Sequence, residues 1–413
     1  VFNSDSGYYA GSNSGNAGNQ EITTYSTDSL GVLLTDPSSY QVITNRVFDG
    51  EHNVVNQMAY TYDEKDSASY AGKLLLDVQE IRGIGFIGGT AATQFIATYS
   101  GIEKRDDQKI SLKVVKNENI VGGNVGKSTV TNYSDWTVAD RIVAGAVTEP
   151  TGMIAFVPGT QTTQQTIVTK AEDFDDFGNS RIQDVYSKAW TIQMDAEGNF
   201  MLDALNQPVW DWTFTKADHT ANAPYNLHDR ATKSTITTYS DEAMSLSKRT
   251  GEQVITYDAY DKFGNSLLQR VDSSIVDSTG ALVYKNTQTV TNTYLDAVAA
   301  RRGNPSRTVS YTYKTAGSVA FNAATQSYEE SANPVRIERS TTDYVYDTRG
   351  YATDQTSVRE KWYNSAWEIS TETVIRNEEI DNRGDAGVQY ITTYTTDEAG
   401  AYITKDGVKL AST

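Results

Sequence analysis

The chain of 413 residues contains no cysteine, which excludes a disulfide framework, thiol catalysis and metal or iron–sulfur sites with cysteine ligands. Proline is also scarce, at 7 residues, so no proline-rich linker divides the chain sharply. No segment approaches the roughly 18 consecutive apolar residues that a membrane helix requires. We therefore predict no membrane span, and we expect stability to depend on burial, hydrogen bonding and association.

Positive charge is in short supply. The 35 lysines and arginines stand against 53 aspartates and glutamates, which gives a net charge of −18 and an isoelectric point near 4.6. An electrostatic nucleic-acid binder needs a basic face, so the balance excludes this class of partner. The 26 tyrosines, 11 phenylalanines and 6 tryptophans nevertheless indicate a folded chain with modest cores.

A short phrase recurs along the chain and is typical of a strand followed by a turn. It reads ITTYSTDSLG from Ile22, VTNYSDW from Val130, ITTYSDEA from Ile236 and ITTYTTDEAG from Ile391. Threonine and tyrosine favour a pleated, half-buried surface. The aspartate that follows can bond its own backbone two residues on and reverse the chain.

Turn-like residues recur every 16 to 20 positions in the C-terminal half, at Asp241, Asp261, Asp277, Asp296, Lys314, Glu330, Asp347, Asn364, Asp381 and Asp397. The segments between them alternate, so that Val309, Tyr311 and Tyr313 share one face. Strands of about 10 to 13 residues with turns of about 3 to 5 reproduce the spacing. We predict an all-β fold of repeated long antiparallel β-hairpins, arranged as an extended meander, a β-sandwich or a shell-like or tube-like sheet.

The remaining organisation follows from composition and local signals. Residues 1–20 are rich in glycine, serine and asparagine and predict a flexible N-terminal arm. Residues 21–232 predict a less regular β-rich region, residues 233–413 predict the hairpin-repeat region, and residues 220–232 form a plausible seam. We expect only a few short helices, at residues 241–251 and 295–303.

Several predicted turns share a motif. YVYDTRGYATD from Tyr344 fits Y-x-Y-D-x-x-G, YDKFGNSLLQR from Tyr260 and FDDFGNSRIQD from Phe174 fit a Y-D-x-x-G-N form, and degenerate versions begin at Met194, Val276 and Ile380. These segments resemble the repeats of YD-repeat (RHS-like) proteins. The resemblance implies β-hairpin strips on secreted or surface proteins of bacteria, sometimes wound into a shell.

The motif also has a local physical explanation. The aspartate begins the turn, the glycine three residues later accepts a left-handed backbone, and the aromatic residue before the aspartate packs on the facing strand.

Two glycine-rich segments look like nucleotide-binding motifs. Residues 83–88 match G-x-G-x-x-G and precede a candidate helix at residues 91–97, with Asp106 and Asp107 where a dinucleotide site carries an acid. The charged segment before them favours a glycine-rich strand or bulge instead. Residues 122–128, GGNVGKS, lack the first glycine of a phosphate loop and favour a hairpin turn. We predict no cofactor.

The three histidines are His52, His219 and His228. The pairs Asp218-His219 and His228-Asp229 could together offer a cation two imidazoles and two carboxylates. No helical spacing holds these pairs together, so exposed loop histidines are the favoured interpretation. The sequence also lacks the G-x-S-x-G elbow that would support Ser-His-Asp catalysis.

Adjacent acids could form a glycosidase pair or bind calcium; they are Asp175-Asp176, Glu329-Glu330 and Glu378-Glu379. Asp173, Asp175 and Gly178 occupy three positions of a calcium loop, but Phe177 stands where an oxygen ligand belongs. Solvated turns explain these acids better, and we predict neither a catalytic nor a metal site.

Aromatic residues on the predicted strands have two interpretations. They could stack on sugars or form cross-strand ladders that cover a thin sheet, and ladders are favoured; the residues are Tyr311, Tyr313, Trp362, Tyr363 and Trp367.

Repetition, the acidic charge and the lack of an assembled catalytic set together predict a structural subunit, not an enzyme. We expect it in an extracellular assembly on a bacterial surface, such as a filament, sheath or fibre, in which copies join by strand-edge pairing and exchange of the arm at residues 1–20. An alternative is an adhesin that binds cell-surface glycans through exposed tyrosine and tryptophan. A third is a polysaccharide-cleaving enzyme, which would need two carboxyl groups about 5 to 9.5 Å apart in one groove.

Overall fold

The computed structural model describes residues 2–3, 17–25, 32–35, 37, 39–63, 74–104, 106–138, 141–143, 146–148, 156–381, 383–397, 400–405 and 407–411. The strands in the N-terminal half are β1 (Phe2–Asn3), β2 (Asn19–Thr24), β3 (Ser39–Phe48), β4 (Val54–Tyr62), β5 (Leu75–Ile87), β6 (Thr90–Tyr99), β7 (Lys109–Val121), β8 (Asn124–Tyr133), β9 (Trp136–Val138), β10 (Arg141–Val143), β11 (Ala146–Thr148), β12 (Phe156–Pro158), β13 (Gln161–Val168) and β14 (Ile182–Ile192).

The C-terminal half continues the pattern with β15 (Trp210–Asn222), β16 (Lys233–Tyr239), β17 (Arg249–Tyr260), β18 (Ser266–Val276), β19 (Leu282–Thr293), β20 (Arg307–Tyr313), β21 (Val319–Asn322), β22 (Ser327–Glu330), β23 (Arg336–Tyr346), β24 (Ala352–Tyr363), β25 (Ala366–Ile380), β26 (Ala386–Thr395), β27 (Thr404–Lys405) and β28 (Val408–Lys409). The described residues also include an α-helix, α1 (Ala297–Arg301), and 3-10 turns at Asp106–Gln108, Ala171–Asp173, Leu246–Lys248 and Ala316–Ser318.

Twenty strands form one antiparallel sheet in which each strand pairs with the next strand of that sheet along the chain, so that β8 pairs with β13 and β20 with β23. The short pairs β9–β12, β10–β11, β21–β22 and β27–β28 stand apart from this sheet. On the outer side of β26, the described residues make only isolated bridges, at Tyr394 and Thr396. The predicted all-β fold of long antiparallel hairpins is therefore confirmed, and the sheet is an open meander.

The meander winds around so that later strands rest on earlier ones. The sheet has two rims. We call one the lower rim; it is the rim at which these strands end: β3, β5, β7, β13, β15, β17, β19, β23 and β25. The opposite one is the upper rim. On the lower rim, Arg302 donates from Nη2 to the carbonyl of Leu76 on the upper rim, at 2.8 Å. Arg383 similarly reaches the carbonyl of Ser134, at 3.1 Å. Both contacts join loops about eleven strands apart in the sheet order. The lower rim of the later strands is therefore stacked on the upper rim of the earlier strands. We call the stretch from Leu76 to Ser134 the first coil and the stretch from Arg302 to Arg383 the second coil.

Most buried side chains lie on one face of the sheet, which we call the inner face. Near the N-terminus it carries a core of Met58, Val78, Ala97, Tyr99, Leu112 and Val114, onto which Trp136 of β9 and Phe156 of β12 fold. The Trp136 indole donates from Nε1 to the Tyr99 hydroxyl at 3.3 Å. Because one face of a sheet cannot exclude water alone, this short strand pair acts as a second layer.

A second hairpin covers the inner face further along. Residues 314–335 leave the sheet between β20 and β23 and form β21–β22. Arg270 of β18 donates from Nη1 to the carbonyl of Val319 at 3.2 Å, and the Tyr328 hydroxyl bonds Asp258 of β17. Thr287 and Thr289 are buried beneath this hairpin region. The buried residues of this region therefore include hydroxyl side chains beside the apolar Tyr313 and Val319.

The predicted turn chemistry is present in atomic detail. Asp261 accepts the main-chain N–H of Phe263 at 2.9 Å and of Asn265 at 2.8 Å, while Gly264 has φ of +92°. The same paired bonds, to the residues two and four positions on, recur at Asp49, Asp175, Asp195, Asp203, Asp277, Asp347 and Asp381. Donation from the Asn199 backbone lowers the pKa of Asp195, and donation from the Thr279 hydroxyl lowers that of Asp277.

The tyrosine before the turn aspartate has a further role. The Tyr260 hydroxyl donates to the carbonyl of Ala231 at 2.6 Å, and the Tyr346 hydroxyl donates to that of Pro305 at 2.6 Å. In each case the acceptor lies in the preceding lower-rim loop. Burial raises the pKa of Tyr260 to about 12. The aromatic residue therefore ties neighbouring lower-rim loops together.

Some local expectations were wrong. Residues 241–251 contain a 3-10 turn at Leu246–Lys248 and the start of β17, not an α-helix, whereas residues 295–303 do contain α1. Lys314 and Glu330 are not separate reversals of the meander, because both lie in the connection that forms β21–β22.

The structure bears on the predicted seam at residues 220–232 and on part of the predicted N-terminal arm. The sheet continues from β15 to β16 across residues 220–232, and the boundaries at 21, 233 and 413 stay predictions. In the predicted arm, Phe2 and Asn3 pair with Glu21 and Gln20. Residues 1 and 4–16 lie outside the described residues, so the flexibility of the arm also stays a prediction.

Gly280 and Gly350 have similar left-handed backbone conformations but different surroundings. Substituting each with alanine therefore distinguishes the cost of a left-handed alanine from the cost of disturbing the packing of the rim. Gly280 has φ of +85° with no atom within 4 Å of an added Cβ, whereas at Gly350, φ +79°, a Cβ would lie 3.1 Å from the Ala299 nitrogen. We expect Gly280→Ala to cost about 1 kcal/mol of unfolding free energy. Gly350→Ala should cost about 1 to 3 kcal/mol more, because α1 must also shift.

Urea denaturation of both variants measures this difference. Equal losses of stability would show that the contact between α1 and the turn of Gly350 contributes nothing to the fold.

Candidate binding surface

Aromatic rings and arginines form a ladder on the inner face of the sheet. They lie on β20, β23, β24 and β25. Trp362 and Trp367 face each other across the β24–β25 hairpin with ring centroids 5.2 Å apart, edge to face. Tyr311 contacts Trp367 at 5.9 Å and stacks on Tyr313 at 6.5 Å. The favoured interpretation, a cross-strand ladder, is confirmed for Tyr311, Trp362 and Trp367, whereas Tyr313 stacks on a ring of its own strand.

Arginines lie over this ladder. Arg336 sits 4.2 Å from the centroid of the Trp362 ring, and Arg339 sits 5.4 Å from that of Trp367. Such cation–π contacts contribute about 0.5 to 1 kcal/mol at exposed sites and more where water is excluded. The arginines therefore orient the rings as well as cover them.

Each arginine is also paired with a carboxylate. Arg336 donates from Nε to Glu330 at 2.8 Å, and Arg339 makes a two-pronged contact with Glu360. Donation from Arg336 is the main cause that lowers the pKa of Glu330. Tyr313 donates to the same carboxylate at 3.1 Å, and burial raises the pKa of that hydroxyl.

A bulge brings the two arginines to one face. Arg336 and Arg339 are three residues apart, so strict alternation would place them on opposite faces of β23. The register shifts at this point, pairing Tyr313 with Arg336 and Tyr311 with Arg339 and leaving Ile337 as the extra residue. Nothing in the local sequence marks Ile337 as a bulge, which is why sequence reasoning missed the arginines.

The fifth predicted aromatic residue, Tyr363, behaves differently. Its side chain is 56% exposed. It lines an open cavity of about 490 Å³ on the upper rim together with Trp362, Arg336, Lys361 and Glu368. An exposed ring beside charged and hydrogen-bonding groups is a suitable surface for stacking on a sugar.

The glycine-rich segments are hairpins. Residues 83–88 run through β5 to its turn with β6, and the candidate helix at 91–97 is part of β6. The segment therefore presents no helix N-terminus for a pyrophosphate, and the preferred strand interpretation is confirmed. Gly122 and Gly123 form the turn between β7 and β8, as predicted.

The histidines are not brought together. His52 and His228 lie in turns, but His219 is on β15, where Nδ1 lies 2.7 Å from a carboxylate oxygen of Asp184. The expectation of a loop position was thus wrong for His219. Neither they nor the acids form a cluster of three or more potential metal ligands in the part of the chain that the structure describes.

The predicted acidic pairs serve turns and ion pairs. Asp175 caps a turn, Glu330 pairs with Arg336, and Glu378 lies 3.1 Å from Arg376. Glu329 accepts from the Asn322 amide at 2.7 Å. The absence of catalytic function stays a prediction.

Comparisons with known proteins add little. No protein-family model and no curated protein matches the chain. A porin-like protein from Bacteroides uniformis is 10% identical, over 86% of this chain and 95% of that chain, with a TM-score of 0.15. The Photorhabdus luminescens Tc holotoxin pore is 11% identical, over 94% of this chain and 24% of that chain, with a TM-score of 0.11. Scores this low carry no argument about fold or function.

Within the described ranges, no helix is both long and apolar enough to cross a membrane.

Two aromatic residues on the same hairpin test which rings are structural. We expect Trp367→Ala to cost about 2 kcal/mol of unfolding free energy, because it removes contacts with Trp362, Tyr311 and Arg339. Tyr363→Ala should change stability by less than about 0.5 kcal/mol. Thermal and urea denaturation give both values, and a larger loss for Tyr363→Ala would contradict the assignment.

Proposed function

We propose that the protein is a structural subunit of an extracellular assembly on a bacterial surface, built by pairing of strand edges between copies. The observation that carries this proposal is the open edge of β26. Its ten residues, Ala386–Thr395, have a partner strand on one side, and the described residues add only isolated bridges on the other. An unpaired edge is a template for another chain.

The edge strand lacks two of the devices that usually prevent such pairing, although residues after it cover its end at Tyr394 and Thr395. Tyr390 and Ile391 are 55% and 60% exposed, and β26 contains neither proline nor lysine. The N–H of Ile403 bonds the outward carbonyl of Thr395 at 3.3 Å. Because outward-pointing groups alternate along a strand, Ile391 also presents its N–H and carbonyl outward.

Exchange of the N-terminal arm is the second part of the proposal. At the opposite edge of the sheet, Phe2 and Asn3 pair with β2 within one chain. The same two residues could pair with β2 of a neighbouring copy, with residues 4–18 as the connection. The resemblance of the turns to YD-repeat proteins supports a secreted, bacterial setting.

The edge hypothesis is tested by Ile391→Pro, with Ile391→Val as the matched control. Proline removes the outward N–H without removing a bond to β25, whereas valine keeps the donor and the strand propensity. We expect negative-stain microscopy and light scattering to show assemblies for the parent chain and the valine variant but discrete particles for the proline variant. Circular dichroism confirms that both variants fold.

Assemblies formed equally well by Ile391→Pro would overturn edge pairing through β26. A variant lacking residues 1–18 that still assembles would overturn arm exchange alone.

A second candidate function, glycan binding by an adhesin, is favoured by the exposed Tyr363 ring beside its cavity. We expect Tyr363→Ala to abolish binding on a glycan array, while Tyr390→Ala, which removes an equally exposed ring outside that cavity, leaves binding unchanged. Binding that survives Tyr363→Ala would exclude this surface.

A further inference from the structure

Two lower-rim turns of the later strands reach the strands beneath them through the residue that lies two positions after the turn aspartate. In the turn between β25 and β26 this residue is Arg383, which donates to the carbonyl of Ser134 on the upper rim at 3.1 Å. In the turn between β17 and β18 it is Phe263, which is half-buried and lines a cavity between the rims together with Thr24 of β2. This position therefore provides a contact between stacked rims.

Another lower-rim turn, between β13 and β14, repeats the turn of Phe263. Residues 174–180 read FDDFGNS, and residues 260–266 read YDKFGNS. The Asp175 carboxylate accepts the main-chain N–H of Phe177 at 2.9 Å, and the same bond holds Phe263 in its own turn. Phe177 is therefore the counterpart of Phe263.

The surroundings of the two rings differ. Phe263 is half-buried, whereas the side chain of Phe177 is 86% exposed. Stacked rims belong to strands that lie about eleven apart in the sheet order, and fewer than eleven strands precede β13. No described strand of the sheet therefore lies beneath the turn of Phe177, and a rim contact group is left exposed there.

The neighbouring lower-rim turns expose apolar side chains as well. Ile87 lies at the turn between β5 and β6, Val121 at that between β7 and β8, and Leu227 at that between β15 and β16, and all three are exposed. Single exposed apolar side chains are ordinary, but a row of them along one rim indicates an interaction surface. We call Ile87, Val121, Phe177 and Leu227 the apolar row.

The upper rim of the later strands carries exposed apolar side chains too. They are Val283 near the turn between β18 and β19, Val335 just before β23, and Tyr363 at the turn between β24 and β25. Fewer than eleven strands follow β18 in the sheet, so no described strand of the sheet rests on this part of the rim. The two uncovered rims are suited to each other, because one lower rim already stacks on an upper rim within the chain.

The sheet order fixes which parts of the two rims would meet if the coil continued into a second copy. β26 runs from the lower to the upper rim, so an antiparallel strand added to its edge runs the other way. β1 has this direction, because it pairs antiparallel with β2. With β1 of the second copy beside β26, the β13–β14 turn of that copy follows the β24–β25 turn by eleven strands.

This register brings apolar side chains together along the whole rim. Phe177 of the second copy meets Tyr363 of the first, because eleven strands is the separation of the rims that stack within one chain. The same shift places Val121 over Val335 and Ile87 over Val283.

We propose that the apolar row of one copy docks on the upper rim of a second copy, with the ring of Phe177 against that of Tyr363. The proposal rests on self-assembly through the β26 edge and adds a second contact between the same two copies. Two linked contacts bind more tightly than either one alone. The contact joins two different surfaces, so each copy keeps one of each for the next copy and the stack stays open-ended.

The lack of cysteine allows this contact to be trapped by one pair of introduced thiols. Chains carrying Phe177→Cys are mixed with chains carrying Tyr363→Cys and treated with a short bis-maleimide. We expect a covalent dimer on a denaturing gel, at least about tenfold more abundant than with Val345→Cys in place of Tyr363→Cys. Val345 on β23 is as exposed as Tyr363, at 58% against 56%, but lies at the lower rim.

A second measurement uses the parent chain without a crosslinker. Phe177→Ser should raise the concentration at which light scattering detects assemblies by at least about tenfold, because one of the two linked contacts is lost. Val345→Ser, the matched control, should assemble as the parent does. Circular dichroism confirms that both variants fold, as expected for exposed positions.

The outcomes separate rim docking from edge pairing. Assemblies that depend on Ile391 but give no dimer with the Phe177→Cys and Tyr363→Cys chains would overturn rim docking and leave edge pairing intact. A dimer from this pair in assemblies that Ile391→Pro does not disturb would support rim docking and overturn edge pairing. Equal dimer yields with Tyr363→Cys and Val345→Cys would also overturn the proposal, because the contact would then have no fixed register.

Discussion

The turn carboxylate is the interaction on which the architecture depends. A meander of this length must reverse at every strand end, and each reversal leaves main-chain N–H groups that need acceptors. A single aspartate, as at Asp261 or Asp347, accepts two of them and holds a glycine in the left-handed region three residues on. The compact turns that result keep the rims even enough to stack.

Stacking of the rims then depends on side chains that leave the turns. Arg349 donates to the carbonyl of Asp381 in the next lower-rim loop, and Asn265 donates to that of Ala300. Arg302 and Arg383 bond carbonyls of the other coil instead. Main-chain carbonyls are present in every loop, so these contacts do not require a particular residue at the acceptor position. The winding of the sheet is therefore compatible with loops of different sequence.

The side chains that cover the inner face change from apolar to polar along the sheet. Among the described residues, the apolar core cluster lies on β4–β7 and is covered by Trp136 and Phe156. Further along, the inner face is covered by ion pairs, rings and buried hydroxyls, as at Tyr313 and Thr287. Charged side chains partly shielded from water interact more strongly than exposed ones.

The sequence by itself determined the class of fold and the turns, because alternation and the aspartate–glycine spacing act over a few residues. It also favoured a ladder for Trp362 and Trp367, since cross-strand neighbours follow from hairpin pairing, whereas the contact of Tyr311 with Trp367 spans two intervening strands. It did not reveal the bulge at Ile337 that brings Arg336 and Arg339 together, and it misplaced His219. The meeting of Arg302 with Leu76 and of Arg383 with Ser134 was decided only by the tertiary structure, because those residues are joined by the winding of the sheet, which no local pattern encodes.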